Sequence, residues 1–240
     1  DWKFFHISNM IINPKLAKDF NLWFSKRLKG LSNKRKKCIV LDLDNTLWGG
    51  VVGEDGVSGI SVGDNYPGNA FMLFQQNLIE ASKNGVIIAV CSKNNLSDIE
   101  DVWKNNPFVK LNKNHISAYR INWQNKATNI LEIADELNIG VDSMVFIDDN
   151  PAERLIVKNN LPNIVVPDFP ENPYDLEMFF REIMDNYFQV YSLTKEDKEK
   201  VKQYKENSKR KEAAISAIDI KSFLSELSME LKVLDGNEFT

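Results

Sequence analysis

Short apolar runs alternate along the chain with segments in which apolar residues recur at helical spacing. The apolar runs predict strands at residues 38–44, 86–91, 116–121, 144–147 and 164–166. The helical spacing predicts helices at residues 69–83, 97–104, 126–138 and 151–159. Strands that alternate with helices indicate βαβ units. We therefore predict an α/β fold with a mostly parallel sheet and helices on both faces.

The glycine-rich segment from Gly49 to about Pro67 interrupts this alternation. Asp55 and Gly56 stand between short β-branched runs, a pattern typical of a β-hairpin turn. We predict a small β-flap over the carboxyl end of the first strand.

The two ends of the chain have a different pattern from the centre. Apolar residues at helical spacing predict a helix from about Pro14 to Leu28, with Gly30 as its stop signal. Beyond Pro167 we predict a helix at 174–188, an exposed charged helix at 195–211, an amphipathic segment at 223–231 and a strand-like end at 231–235. The chain is thus divided into 1–34 (the end of an N-terminal region or a packing arm), 35–188 (the principal domain) and 189–240 (a helical linker and the start of a truncated C-terminal domain).

Composition limits the classes of function. The 240 residues are 43% hydrophobic and 27% charged, which is ordinary for a soluble globular protein. The net charge of -4 gives no electrostatic case for nucleic acid binding, and no apolar run approaches the roughly 20 residues of a membrane span. Cys38 and Cys91 are the two cysteines. Two cysteines argue against a disulfide scaffold and favour a reducing compartment, the cytoplasm.

Chemically active residues end or follow the predicted strands, or open the predicted helices. These positions are Asp42, Asp44 and Thr46 in an Asp-x-Asp-x-Thr pattern, Ser92, Lys126, and the pair Asp148-Asp149. Ligands bind at the carboxyl ends of strands in open α/β sheets, so we expect these side chains to meet there. Several carboxylates in one place repel each other unless a cation neutralises them. A hard divalent cation such as Mg²⁺ suits such oxygen ligands.

This ordered set resembles the motifs of the haloacid dehalogenase (HAD) superfamily over about residues 36–167. The resemblance implies a Rossmann-like HAD fold and Mg²⁺-dependent phosphoryl transfer to water, with a phosphorylated substrate. It implies that Asp42 is the nucleophile that becomes an aspartyl phosphate. It also implies that Asp44 is the general acid/base, oriented by Thr46.

The same resemblance implies a phosphoryl-binding set and a metal-binding set. Ser92, Lys126 and Asn45 are the implied phosphate-binding residues. The implied ligands of Mg²⁺ are Asp42, the backbone carbonyl of Asp44, and Asp149 or Asp148.

Longer stretches are similar to the FkbH-like branch of the superfamily, at residues 42–56, 90–94, 122–130 and 146–154. That similarity implies neighbouring SGNH- or flavodoxin-like and acetyltransferase-like regions. Some members of the branch take a glyceryl group from 1,3-bisphosphoglycerate, release phosphate and pass the acyl group to an acyl carrier protein. A cysteine is the proposed carrier of the acyl group, and by position Cys91 is the candidate here. A cysteine that ends an apolar strand is also commonly a small buried residue.

Other functions and roles stay open at this stage. No long insertion forms a cap domain, so we expect an open, capless site. The chain could instead be a phosphatase of small or sugar phosphates in polysaccharide synthesis, or a non-catalytic scaffold. Trp48 and Trp123 are expected either to line the site or to pack, and Arg154 either to meet a substrate anion or to form a surface salt bridge.

Overall fold

The computed structural model describes residues 2–9, 13–31, 35–188 and 206. At its centre lies a parallel four-stranded sheet in the order β3-β2-β1-β4. The strands are β1 (Cys38–Leu41), β2 (Ile87–Ser92), β3 (Ala118–Ile121) and β4 (Met144–Ile147). Ile39 of β1 lies in register with Ile88 of β2 and Val145 of β4. Because β1, β2 and β4 are buried along their whole lengths, their apolar runs are continuous rather than alternating.

Helices precede, connect and follow these strands. They are α1 (Trp2–Ser8), α2 (Ala17–Leu31), α3 (Val52–Gly59), α4 (Gly68–Lys83), α5 (Leu96–Asn105), α6 (Lys126–Leu137), α7 (Pro151–Asn160) and α8 (Leu176–Tyr187). Short 3-10 turns occupy Pro14–Leu16, Lys113–His115, Val141–Ser143 and Pro173–Asp175. None of the helices in the described ranges is long and apolar enough to cross a membrane.

The helices cover both faces of the sheet, as predicted. On one face Ile39, Leu41 and Val90 pack with residues of α4, α5 and α8, among them Phe74 and Phe180. On the other face, Val40, Ala89 and Phe146 pack with residues of α6 and α7, including Ile130 and Val157. This arrangement confirms the predicted α/β class with a parallel sheet and helices on both faces.

The predicted β-flap is wrong, because the part of the glycine-rich segment that holds the predicted hairpin turn forms the short helix α3. The carboxylate of Asp55 accepts a hydrogen bond from the Val51 N–H at 2.8 Å, which supports the start of a helix rather than a hairpin turn. Gly56, at φ 71°, interrupts the helical conformation inside the segment. Only an isolated antiparallel bridge between Gly49 and Ser61 closes the segment at its base.

The first predicted strand is shorter than expected, and the last is reduced to an isolated bridge. β1 ends at Leu41, so Asp42 and Asp44 lie in the loop after it rather than in a strand that runs to residue 44. Residues 164–166 form no strand, and only Val165 bridges to Val145 of β4. Pro167 has no backbone N–H to extend this ladder, which explains why the pairing stops.

At the N-terminal end, the predicted helix is confirmed as a 3-10 turn followed by α2, although α2 continues through Gly30 to Leu31. α8 confirms the helix predicted at 174–188. The segments predicted at 195–211, 223–231 and 231–235 lie outside the described residues, apart from Glu206.

Candidate active site

Three carboxylates and one ammonium group meet at the carboxyl end of the sheet. Asp42 follows β1, Asp148 and Asp149 follow β4, and Lys126 is the first residue of α6. Each Asp presents one carboxylate oxygen, and these oxygens lie within 4.8 Å of one another. Lys126 Nζ lies 3.1 Å from Asp42 Oδ1 and 2.6 Å from Asp148 Oδ2. The parallel order of β1 and β4 therefore brings together residues that are about a hundred positions apart.

Burial and mutual repulsion disturb the ionisation of these groups. Burial, opposed by Lys126 and reinforced by Asp148, raises the pKa of Asp42 to about 6. Burial and then the charge of Asp42 raise the pKa of Asp149. Burial alone would lower the pKa of Lys126, but Asp42 and Asp148 outweigh it and raise that pKa above the ordinary lysine value. The one positive charge of Lys126 thus cannot balance the negative charges of three ionised carboxylates.

The donor set fits a hard divalent cation. It offers oxygen ligands only, close together and with excess negative charge, which are the features Mg²⁺ uses in proteins. Asp42 Oδ1 faces Lys126 as an ion pair without a well-directed hydrogen bond, so its coordination is incomplete within the described residues.

Asp148 and Asp149 have different surroundings. Asp148 is fully buried, and its oxygens accept hydrogen bonds from Lys126 Nζ and from the Asn150 N–H. Asp149 is partly exposed, and among the described side chains only Thr46 forms a hydrogen bond with its carboxylate, from Oγ1 to Oδ1 at 3.5 Å. Of the two, Asp149 has the freer carboxylate.

Thr46 contacts Asp149 rather than the residue that we expected it to orient. Its hydroxyl accepts a hydrogen bond from the Asp149 N–H at 3.2 Å and lies 3.5 Å from Asp149 Oδ1. The predicted orientation of Asp44 by Thr46 is therefore not a direct contact in this structure. Thr46 instead fixes the loop that carries the acidic pair.

Asp44 is held by three other groups. Its Oδ1 accepts hydrogen bonds from Trp48 Nε1 at 2.9 Å and from the Val52 N–H at 3.1 Å. Its Oδ2 accepts one from Asn94 Nδ2 at 3.0 Å. The Trp48 side chain is fully buried, so it packs and orients Asp44 rather than lining an open surface.

Asn94 is a site residue that the sequence analysis did not single out. Its amide contacts both Asp44 Oδ2 and Ser92 Oγ, at 3.0 and 3.1 Å, and it is 5% exposed. Its position two residues after Ser92, at the end of a strand, was the available signal, because alternate residues of an extended chain face the same side. Ser92 itself ends β2 beside Asp42, as predicted, and hydrogen bonding by its side chain favours the ionised form of Asp42.

The other predicted residues lie at different depths. Asn45 is exposed in a left-handed conformation at φ 52°, and its Oδ1 accepts a hydrogen bond from the Gly50 N–H at 2.9 Å. Trp123 is 69% exposed, and its Nε1 donates to Asn95 Oδ1 at 3.0 Å. Within the described residues Arg154 forms no salt bridge, and it donates to the backbone carbonyls of Asp148 and Asp149, at 2.8 and 2.6 Å.

Cys91 is not brought to the opening of the site. Its side chain packs in the apolar cluster between the sheet and α6, with no exposed surface, and Sγ lies 3.7 Å from the carbonyl oxygen of Lys126. Burial raises the pKa of the Cys91 thiol to about 12. The structure thus places Cys91 as a small buried residue, while Ser92 next to it faces Asp42.

Comparisons with known proteins find a solved phosphatase domain that is similar to this chain. No model of a known protein family matches the chain, and no curated protein matches it. Among solved structures, the chain is similar to the N-terminal part of the protein BF1531 from Bacteroides fragilis, which contains a phosphatase domain and was solved with Mg. The two are 38% identical with a TM-score of 0.68, over 80% of this chain and 51% of that chain. The chain thus spans about half the length of that structure.

More distant similarities were also found. The HAD domain of the effector protein Lem4 from Legionella pneumophila is 17% identical with a TM-score of 0.46, over 64% of this chain and 97% of that one. The phosphatase YrbI from Haemophilus influenzae is 13% identical with a TM-score of 0.39, over 80% of this chain and 98% of that one.

The chain shares its α/β fold and part of its sequence with a phosphatase domain that was solved with Mg. That similarity accords with the fold that the sequence motifs imply.

Proposed function

We propose that this chain hydrolyses or transfers phosphoryl groups with Mg²⁺, through an aspartyl phosphate on Asp42. The observation that supports this most directly is the position of Asp42, 3.1 Å from the buried Lys126 ammonium and within 4.8 Å of the carboxylates of Asp148 and Asp149. A carboxylate nucleophile replaces one difficult step with two easier ones. The similarity to a phosphatase domain that was solved with Mg gives further support.

We propose residues 35–188 as the catalytic domain, with 1–34 and 189–240 as parts of neighbouring regions. Within the domain, Asp42, Asp149 and the backbone carbonyl of Asp44 would hold Mg²⁺. Asp148 would instead hold Lys126, because both of its oxygens already accept protein hydrogen bonds. When bound, Mg²⁺ supplies positive charge beside the phosphoryl oxygens.

In the first step, a carboxylate oxygen of Asp42 attacks phosphorus, and the bond from phosphorus to the leaving-group oxygen breaks. Protonated Asp44 gives its proton to that oxygen. The Ser92 hydroxyl and the Lys126 ammonium bind the phosphoryl oxygens, which carry spreading negative charge.

In the second step, the Asp44 carboxylate takes a proton from water, and the water oxygen attacks phosphorus. The bond from phosphorus to Asp42 breaks and phosphate leaves. Oδ2 of Asp44 accepts one hydrogen bond and Oδ1 accepts two, so we assign the exchanged proton to Oδ2.

Phosphate release from an aryl phosphate tests this proposal. The wild-type chain should release phosphate only with Mg²⁺, and Asp42→Asn should reduce the rate by at least about a thousandfold. The exposed variant Asp64→Asn is the matched control and should keep the wild-type rate. Undiminished turnover in Asp42→Asn would remove Asp42 as the nucleophile. Absence of turnover on every phosphate ester, together with no Mg²⁺-dependent thermal shift, would favour a non-catalytic scaffold.

Glyceryl transfer to an acyl carrier protein stays a prediction from the FkbH-like resemblance. What supports it is the motif similarity, whereas the buried thiol of Cys91 favours simple hydrolysis. Intact-protein mass spectrometry with 1,3-bisphosphoglycerate distinguishes the two. A glyceryl adduct on the wild-type chain that is lost in Cys91→Ser would favour transfer, and its absence would favour a phosphatase of small phosphate esters.

A further inference from the structure

A cavity of about 630 Å³ opens beside the acidic cluster. Asn45, Asp149 and Arg154 line it on the side of the acidic cluster, and Phe71, Phe169 and Pro170 contribute apolar surface. Its size and its combination of apolar walls with a few polar groups are typical of small-molecule sites. Because Asp149 belongs both to the cavity and to the carboxylate cluster, the cavity adjoins the proposed position of the phosphoryl group at Asp42.

Arg154 has donors left over for a ligand. Nη1 carries two hydrogens, and both are used on the backbone carbonyls of Asp148 and Asp149. The N–H groups of Nε and Nη2 have no acceptor within residues 35–188 of the structure. Arginine presents such a pair of N–H groups in a planar fork that matches a carboxylate or a phosphate. The first bonds fix the guanidinium, so little conformational freedom is lost when an anion binds.

We propose that the cavity binds the leaving group of the substrate and that Arg154 recognises a second anionic group on it, a carboxylate or a second phosphate. This inference rests on the proposed function, because it takes Asp42 as the position of the transferred phosphoryl group. The substrate class is then a phosphate ester or acyl phosphate whose leaving group is small, has an apolar part and carries its own negative charge.

Two carboxylates at the edge of the cavity do not cancel the attraction of Arg154 for an anionic group on the substrate. Asp168 has a 90% exposed side chain and lies 3.6 Å from Lys158 Nζ, and Glu171 is exposed. Both are solvated, so water screens their repulsion of a bound anion. Arg154 is partly buried and lies directly against Asp149, where screening is weaker.

Binding of paired ligands to the 240-residue chain tests the inference. The pairs are 4-carboxyphenyl phosphate with 4-carbamoylphenyl phosphate, and their 3-substituted isomers, so that only the second charge differs. Dissociation constants are measured with Mg²⁺ by calorimetry in the Asp42→Asn background, where turnover does not interfere. We expect the carboxylate to bind at least about tenfold more tightly than the carboxamide in one isomer pair.

Substitutions of arginine show whether that preference belongs to Arg154. In Arg154→Gln the ratio of the two dissociation constants should fall to about one, and in Arg154→Lys it should fall in part, since a single ammonium replaces the fork. Arg181→Gln is the matched control, because Arg181 is exposed on α8 and pairs with Glu177 outside the cavity. This variant should keep the full preference.

Each outcome bears on the inference separately from the proposed function. Equal binding of both ligands in every pair, or a preference that persists in Arg154→Gln, would overturn it. Equal weakening of both ligands in Arg154→Gln would also overturn it, since Arg154 would then act only on the phosphoryl group or on the Asp148-Asp149 loop. Failure of the proposed function would show instead as absent phosphate release from the wild-type chain, whatever the binding ratio.

Discussion

Replacing Asp42 by Asn should stabilise the metal-free protein while it removes activity. The buried Asp42 carboxyl has its pKa raised from 3.8 to about 6, so its ionisation opposes folding. One pKa unit corresponds to about 1.4 kcal/mol, which gives an upper value of about 3 kcal/mol above pH 7. An amide removes this charge without changing the shape of the side chain, and Lys126 keeps Asp148 as its partner. We expect the free energy of unfolding to rise by about 1 to 3 kcal/mol.

The pH dependence has a definite sign. Below about pH 3 the Asp42 carboxyl is mostly protonated in the folded and the unfolded chain, so its charge does not distinguish the wild type from Asp42→Asn. As the pH rises toward about 6, the unfolded wild type loses this proton before the folded one does, and the wild-type stability falls. About half of the stability difference should be present at pH 5 and all of it at pH 8.

Urea denaturation in EDTA, at pH 5 and pH 8, measures this difference. The exposed Asp64→Asn serves as the control and should change stability by less than about 0.5 kcal/mol at both pH values. Added Mg²⁺ should then stabilise the wild type more than Asp42→Asn, because a ligand that binds only the folded state shifts folding by mass action. If metal-free Asp42→Asn were less stable than the wild type at pH 8, the account of repulsion in this site would be refuted.

Three further variants distinguish the roles of neighbouring residues. Lys126→Ala leaves two buried carboxylates without their ammonium partner. We therefore expect the free energy of unfolding to fall by about 3–5 kcal/mol and phosphate release to be at least about a hundredfold slower. A variant as stable as the wild type would argue against the ion pairs. Asn94→Ala removes one of the three hydrogen bonds that hold Asp44 but contacts no side chain proposed to bind the metal, so kcat should fall about tenfold while the Mg²⁺-induced shift in Tm is kept. An effect on KM alone would contradict its positioning role. Cys91→Ala should release phosphate within about threefold of the wild-type rate, because the thiol is buried between the sheet and α6. A rate more than about tenfold lower would indicate that Cys91 takes part in the reaction.

The sheet and the centre of the site could be predicted because their signals are local. Apolar runs fully buried on both faces, as in β1 and β4, are continuous in the sequence, and the parallel connections then require that their carboxyl ends meet. The same argument predicts that Asp42 and Asp148 lie close together. Lys126 followed from its position at the start of a helix that packs on the same sheet.

The remaining features depend on contacts that no short pattern specifies. Glycine density after Trp48 is compatible with a hairpin or with a helix, and the hydrogen bond from the Val51 N–H to Asp55 is part of what supports the helix. Whether Thr46 contacts Asp44 or Asp149 depends on how two loops that are distant in the sequence pack together. The cavity beside Arg154 likewise exists only because the segment that contains Phe169 packs near the acidic pair.

Trapping of the phosphorylated enzyme tests the central claim most directly. In Asp44→Asn the base for the second step is absent, so an acyl phosphate, whose leaving group needs little protonation, should phosphorylate Asp42 and leave it phosphorylated. Borohydride then reduces the aspartyl phosphate on the protein, and peptide mass spectrometry identifies the modified residue. We predict homoserine at position 42, dependent on Mg²⁺ and on the acyl phosphate. Turnover by the wild-type chain with an unmodified Asp42 in every trapping experiment, or with the label on another residue, would contradict the account.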